Sequence, residues 1–306
     1  MAVTDTEQPA AAPETRFTAR ANYHSADNNF EFRWPDVPAH QFLVERDKAF
    51  ASDTPTCLIP LDCSEILKTG YPATTPTMLM RYARIRAGEE ISTRLVASGE
   101  IYYVMEGSGE SRNGEDVIAW GRGDLFCFPG GGETTHRAGD VDCLLYFTTN
   151  EPLLALERLR PPAPGEAVVE TVHWPAASTR AEFEDVFKRP ITPTTTGHAV
   201  LFSSPALAPS TNAIPSINIG INTLEAGRDQ RAHRHNGVAV VLSIQGEGVY
   251  SIVDDERIDW SEGAVQITPG ASMHSHHNRG SERMECLIFQ DEALHYYTRT
   301  PGFSFD

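Results

Sequence analysis

The chain has 306 residues, room for about two ordinary domains, and carries 25 basic against 42 acidic side chains, a formal charge of −17. That balance excludes a nucleic-acid or acidic-membrane partner, since phosphate surfaces are gripped by clustered Lys and Arg. A hydrophobic content of 40% with 22% charged residues excludes a disordered chain, and no run approaches the ~20 apolar residues of a membrane span.

Residues 1–15 are rich in Ala, Thr, Pro and acid, and are expected to form a disordered tail. They show no basic start followed by an apolar stretch, so no secretory signal is expected, and a cytoplasmic protein is. Five cysteines without a CxxC fit reduced, mostly packing thiols. The segment from Phe17 to Thr75 is long enough to wrap a neighbouring copy, and a homo-oligomer is expected.

From residue 87 onward the sequence repeats. AGEEISTRLVASGEIYYVMEGSGE from Ala87 aligns with AGRDQRAHRHNGVAVVLSIQGEGV from Ala226: Gly88, Gly107 and Gly109 match Gly227, Gly246 and Gly248 at an offset of 139. Gly123, Pro129 and His136 then match Gly263, Pro269 and His276 at 140. In this alignment Arg94 and Val96 stand where the second copy has His233 and His235, and Thr134 stands for His274. Each copy reads as short β-branched and aromatic strands between turns, with a turn at Asp254-Asp255. Helical patterns are few. Glu151–Leu159 is one; Thr179–Phe187 is another, capped by Ser178 or Thr179 and stopped by Pro190. The predicted architecture is all-β: two tandem antiparallel barrels of jelly-roll type with a few short helices. The divisions are 16–160 for the first barrel, 161–190 for a linker opening on Pro161-Pro162-Ala163-Pro164-Gly165, and 191–306 for the second.

Four of the 11 histidines fall in two groups, His233-x-His235 and His274-x-His276. Residues i and i+2 on a strand share a face, so His233 and His235 can converge inside a barrel, and a returning strand can bring His274 to them. Neutral imidazoles suit Fe, Zn, Cu and Ni. His276, on the face of His274, is the candidate catalytic proton shuttle; His277, of opposite parity, is expected outside. No GxSxG, P-loop or strand-associated GxGxxG offers another chemistry.

Gly227, His233, His235 and Gly246, then Gly263, Pro269, His274 and Asn278, resemble the two cupin motifs, with one spacer shift around Gly270. Ala239 stands at the usual Glu position. That substitution, the HRH triplet, GEGVYSIVDDERI and the H-x-H-x-N ending resemble the gentisate and salicylate 1,2-dioxygenase branch over about residues 225 to 285. The resemblance implies a bicupin whose second barrel holds Fe(II) on three histidines. The implied reaction is extradiol-type cleavage of a gentisate- or substituted-salicylate-like acid by O2. Zn, Mn or Ni are the lesser metal alternatives. Val241 stands where the branch typically has an Arg that holds the substrate carboxylate. Gln245, Gln266, Asn222 and Arg84 are the candidate replacements, with Val241 itself lining the pocket. The first copy keeps only Glu100 and His136, and no metal is expected there. Two other functions fit the same residues: a Zn or Mn lyase or isomerase acting without O2, and a non-catalytic small-molecule-binding bicupin.

Overall fold

A computed structural model describes residues 15–25, 34–163, 165–190, 192 and 197–306. Chain contacts divide it into two units, Met1–Trp34 and Pro35–Asp306. Within the first unit the described residues are exposed and hold one 3-10 turn, Thr18–Arg20. The tail expected over 1–15 lies outside the described residues except for Thr15, as does Pro164 of the linker.

The second unit opens with α1 (Leu43–Phe50), β1 (Cys57–Leu61) and α2 (Ser64–Leu67). The first repeat follows: β2 (Leu79–Ile85), β3 (Glu90–Thr93), β4 (Gly99–Glu106), β5 (Ser108–Asn113), β6 (Asp116–Gly121), β7 (Leu125–Pro129), β8 (Thr134–Ala138) and β9 (Cys143–Thr149). Then come α3 (Glu151–Glu157), β10 (Val172–Trp174), α4 (Ala176–Val186) and β11 (His198–Phe202). The second repeat is β12 (Asn218–Leu224), β13 (His233–Arg234), β14 (Ala239–Gln245), β15 (Val249–Val253), β16 (Glu256–Asp259), β17 (Val265–Thr268), β18 (His274–Asn278) and β19 (Met284–Gln290). The last elements are α5 (Glu292–Tyr297) and β20 (Ser304–Phe305).

Each repeat builds two antiparallel sheets. The first gives β1-β2-β9-β4-β7-β10 and β3-β8-β5-β6; the second gives β11-β12-β19-β14-β17 and β16-β15-β18-β13-β20. The sheets stay open, so each copy is a jelly-roll sandwich rather than a closed barrel, within the predicted all-β class. Asp254 (φ 45°) and Asp255 (φ 71°) make the β15–β16 turn, two left-handed residues as a type I′ hairpin requires. The second helix begins three residues before the predicted start, because Pro175, in extended conformation, opens it ahead of Thr179. Val172–Trp174, inside the segment read as linker, pairs with β7 instead.

Alternation along the strands explains where the core sits. Tyr102, Val104, Phe126, Phe128 and Phe147 face the interior of the first sandwich. Their neighbours Ile101, Tyr103, Leu125 and Tyr146 face outward, against Val240, Leu242, Ile267 and Phe289 of the second. The two large sheets are therefore buried on both faces, which is why their strands read as near-continuous apolar runs. The Tyr146 and Phe289 rings meet at 5.7 Å across this seam, and the Tyr82 hydroxyl donates to the Gly263 carbonyl at 2.7 Å.

Candidate metal centre

β13 is two residues long, and its position is fixed by pairing: His233 lies opposite His274 of β18. His235 follows directly, and the chain bends after it at Asn236 and Gly237. The ring centroids are 4.2 Å apart for His233 and His274, 4.8 Å for His235 and His274, and 6.0 Å for His233 and His235. One ring nitrogen of each lies within 4.8 Å of the others. Among the described residues this is the only group of three or more His, Cys, Asp and Glu side chains so placed.

Which nitrogen is free follows from the hydrogen bonds. Nδ1 of His233 lies 3.0 Å from the Arg231 carbonyl, Nδ1 of His274 3.0 Å from that of Ser272, and Nδ1 of His235 2.8 Å from that of Gly237. A carbonyl only accepts, so every Nδ1 carries the hydrogen and every Nε2 keeps its lone pair. Burial lowers all three imidazoles, His233 to about 4 and His274 to about 2, the latter also depressed by its neighbouring histidines. The set is neutral at pH 7, as metal ligation requires. The residues thus fit a divalent ion.

The loop carrying His235 is clamped from α5. Glu292 accepts the Gly237 N–H, and Asp291 accepts that of Val238 at 2.7 Å and the Thr77 hydroxyl at 2.6 Å. A Cβ at Gly237 would stand 2.6 to 2.9 Å from Glu292, so glycine is what permits the clamp.

His276 has the opposite tautomer. Ser251 Oγ accepts from Trp260 Nε1 at 2.7 Å and from Gln266 Nε2 at 2.9 Å, so its own hydrogen goes to His276 Nδ1, 2.9 Å away. His276 therefore carries its proton on Nε2 and is a donor. The same arrangement recurs in the first copy: Trp120 Nε1 donates to Ser111 Oγ at 2.7 Å, which lies 2.6 Å from His136 Nδ1. His277 points elsewhere, with Nδ1 2.6 Å from Asp229 and its ring stacked on Tyr250.

The triad and His276 line a cavity of about 180 Å³. This is below the ~300 Å³ at which drug-sized sites begin, so its scale is a single ring. Ile221, Val241 and Ile288 supply apolar wall; Asn218, Asn222, Thr268, Gln290 and Glu292 supply polar groups; Tyr296 and Phe303 supply aromatic ones. No Lys or Arg among the described residues lines it. Two buried oxygens, Asn218 Oδ1 and Thr268 Oγ1, have no protein partner. Asn218 Nδ2 donates to Gln290 Oε1 at 3.3 Å, and Gln290 Nε2 stands 3.2 Å from His235 Nε2.

The sequence-derived substrate candidates separate. Val241 and Asn222 line the cavity. Gln266 lies behind it on Ser251. Gln245 is bonded to Glu282 at 2.7 Å on the opposite side of its sheet, and Arg84 is in the first copy, paired with Asp142 at 2.7 Å. Neither of these two reaches the site. Asn218, Thr268, Gln290 and Glu292 were not among the candidates. Their available signal was polarity at the ends of otherwise apolar strands, as in MECLIFQ.

The first copy has no such room. Its β3–β8 pairing sets Thr93 opposite Thr134, so the residue at the place of His233 is Thr93, and exposed Arg94 is displaced by one from the sequence alignment. Glu100 pairs with Phe128 and Tyr102 with Phe126, where the second copy pairs Ala239 with Thr268 and Val241 with Gln266. Three aromatic rings replace three smaller side chains. Tyr102 stacks on Phe126 at 5.0 Å and Phe147 at 4.9 Å, filling the interior.

Residues 220–289 match the family model for a cupin domain. A gentisate 1,2-dioxygenase from Ralstonia is 35% identical over 85 residues, 28% of this chain and 24% of the relative. A 5-aminosalicylate 1,2-dioxygenase from Comamonas is 28% identical over 122 residues, 40% of this chain and 32% of the relative. The matched region thus spans about a quarter to a third of these relatives' length. Among solved structures, a salicylate 1,2-dioxygenase from Pseudaminobacter salicylatoxidans superposes with a TM-score of 0.73 at 15% identity, covering 90% of this chain and 91% of that one. At that identity the superposition shows the fold, which is the cupin fold in two copies.

Proposed function

Taking as premise that this is a two-cupin protein resembling the gentisate and salicylate 1,2-dioxygenase branch, we propose that it is an Fe(II)-dependent ring-cleaving dioxygenase for a small hydroxy-aromatic acid. The second copy, 191–306, is the catalytic one, and the first, 16–160, is its scaffold. The observation that carries the reading is the triad: three Nδ1 hydrogens committed to carbonyls, which leaves the Nε2 lone pairs free, and one ring nitrogen of each within 4.8 Å of the others beside a one-ring cavity.

His233, His235 and His274 would hold a ferrous ion, which would supply the redox partner that O2 chemistry needs. The ligands themselves are neutral, so they leave its double positive charge uncompensated. A carboxylate and a phenolate on adjacent ring carbons balance that charge, which answers the absence of a cationic side chain among the described cavity residues. His276 donates its Nε2 hydrogen to an anionic oxygen of the bound acid and is held in that tautomer by Ser251. Asn218 Oδ1 and Thr268 Oγ1 accept from a hydroxyl or amino substituent on the ring. Val241, Ile221 and Ile288 pack its edge and keep water out.

The test is oxygen uptake by protein loaded anaerobically with Fe(II), offered gentisate, 5-aminosalicylate, other substituted salicylates, hydroxynaphthoates and aminophenols. One O2 consumed per ring opened is expected for at least one acid bearing adjacent carboxyl and hydroxyl groups. Turnover of a zinc-loaded sample without O2, or no oxygen uptake with any ring, overturns the reading.

A further inference from the structure

Beside the triad the structure holds an aromatic that the mechanism above does not use. The segment 300–306 runs back along β13, with Phe305 opposite His233 and Ser304 opposite Arg234. It is tied at both ends. Asn236 Nδ2 donates to the Thr300 carbonyl at 3.1 Å, and the Asp306 N–H donates to the Ala232 carbonyl at 3.1 Å. The Arg231 guanidinium lies 4.7 Å from the Phe305 ring centre. Between these ties Phe303 stacks on the imidazole of His233, centroids 5.2 Å apart and planes 27° from parallel, with Phe305 edge-on to it at 5.0 Å. Phe303 also lines the cavity, yet 47% of it remains exposed.

A ring with one face on a ligand and the other in water is poorly explained as core. It covers one face of the His233 ring and forms part of the cavity wall. We infer that Phe303 is a positioning residue that holds the His233 ring in its ligating orientation and governs passage into the site. The segment carrying it is a strap that must lift to admit a ring. Its two-residue strand and exposed backbone suit local opening without unfolding of the sandwich. The inference rests on the triad as the metal site assigned above.

Two variants perturb the strap differently. Phe303→Ala removes the ring. Gly302→Ala keeps it but places a Cβ 2.1 to 2.2 Å from the Asn236 side-chain amide, which must give way and so loses its tie to the Thr300 carbonyl. The first readout uses metal-free protein: the rate at which diethylpyrocarbonate modifies His233, followed by peptide mass. The second is the rate at which Co(II)-loaded protein releases its ion to a coloured chelator. Both variants are expected to raise both rates by about 3- to 10-fold, the scale of one lost aromatic contact, with Phe303→Tyr restored to the parent value. In the Fe(II) protein, Phe303→Ala is expected to raise KM for the cleaved acid more than it lowers kcat. Folded Phe303→Ala and Gly302→Ala proteins that both keep the parent's modification rate overturn the inference, whether or not the chain cleaves a ring. Parental modification and release rates in Gly302→Ala with altered rates in Phe303→Ala would also overturn it, since the strap would then have no gating role.

Discussion

At the scale of single residues, tautomers decide what the site can do. His233, His235, His274 and His276 are all buried imidazoles, yet backbone carbonyls make the first three lone-pair donors, while Ser251 makes the fourth a hydrogen donor. Gln290 adds a competing contact, because its amide hydrogen points to the same His235 lone pair that a metal would use. A hydrogen bond of this kind is worth about 1 kcal/mol net. Gln290→Ala is therefore expected to tighten Co(II) binding by about 5-fold in a chelator competition; weaker binding would mean that Gln290 supports the ligand instead. A second residue-scale effect lies in the first copy. Glu100 is fully buried, with Tyr102 donating to Oε2 at 2.6 Å and Oε1 without a protein partner. Burial raises its carboxyl from an ordinary 4.5 to about 7. Between those two pH values the folded state binds the proton and the unfolded state does not, so stability falls as pH rises across the window, by about 3 kcal/mol in total. Glu100→Gln is expected to flatten that part of the stability–pH curve in urea titrations and to leave the protein more stable than the parent at pH 8. An unchanged slope would place the titration elsewhere.

At the scale of elements, the legible features were those with a local cause. The i, i+2 spacing of His233 and His235, the glycine repeat and the Asp254-Asp255 turn each express a rule that acts over a few residues, and each corresponds to structure. What was misplaced depends on distant pairing. The alignment by glycines set Arg94 against His233, but strand register across β3–β8 makes Thr93 the equivalent, because the second copy gains one residue between Gly227 and His233 and loses it again before Ala239. Likewise Pro175 and not Ser178 or Thr179 precedes the second predicted helix, whose first N–H is taken up from a distance by Asp124 Oδ1 at 2.8 Å. Gln245 shows the same limit. It was a candidate to hold the substrate in place of the missing Arg, but the register of β14 against β19 shifts between Ser243 and Gln245, and the bulge turns it to Glu282.

At the scale of the whole second unit, the duplicated sandwiches differ in what fills them. One interior is closed by stacked aromatics, while the other is left with smaller side chains around the histidines. Back-to-back packing of the two large sheets makes the full one a support for the hollow one. Phe289, fully buried at the seam against Tyr146, reports on that coupling. Phe289→Ala is expected to cost ~3–5 kcal/mol and to shift one unfolding transition of the pair, read by denaturant titration with two spectroscopic probes. Two separated transitions in the parent protein would show that the sandwiches fold independently. Sequence could not show this seam, because residues on both faces of a doubly buried strand look alike.

Three imidazoles, on β13, immediately after it and on β18, are placed so that together they could hold one metal ion. Anaerobic titration of the metal-free protein with Fe(II) tests it most directly. One high-affinity equivalent per chain is expected, lost in His235→Ala without loss of the folded state. Binding that survives in folded His235→Ala, or no high-affinity equivalent in the parent protein, would contradict it.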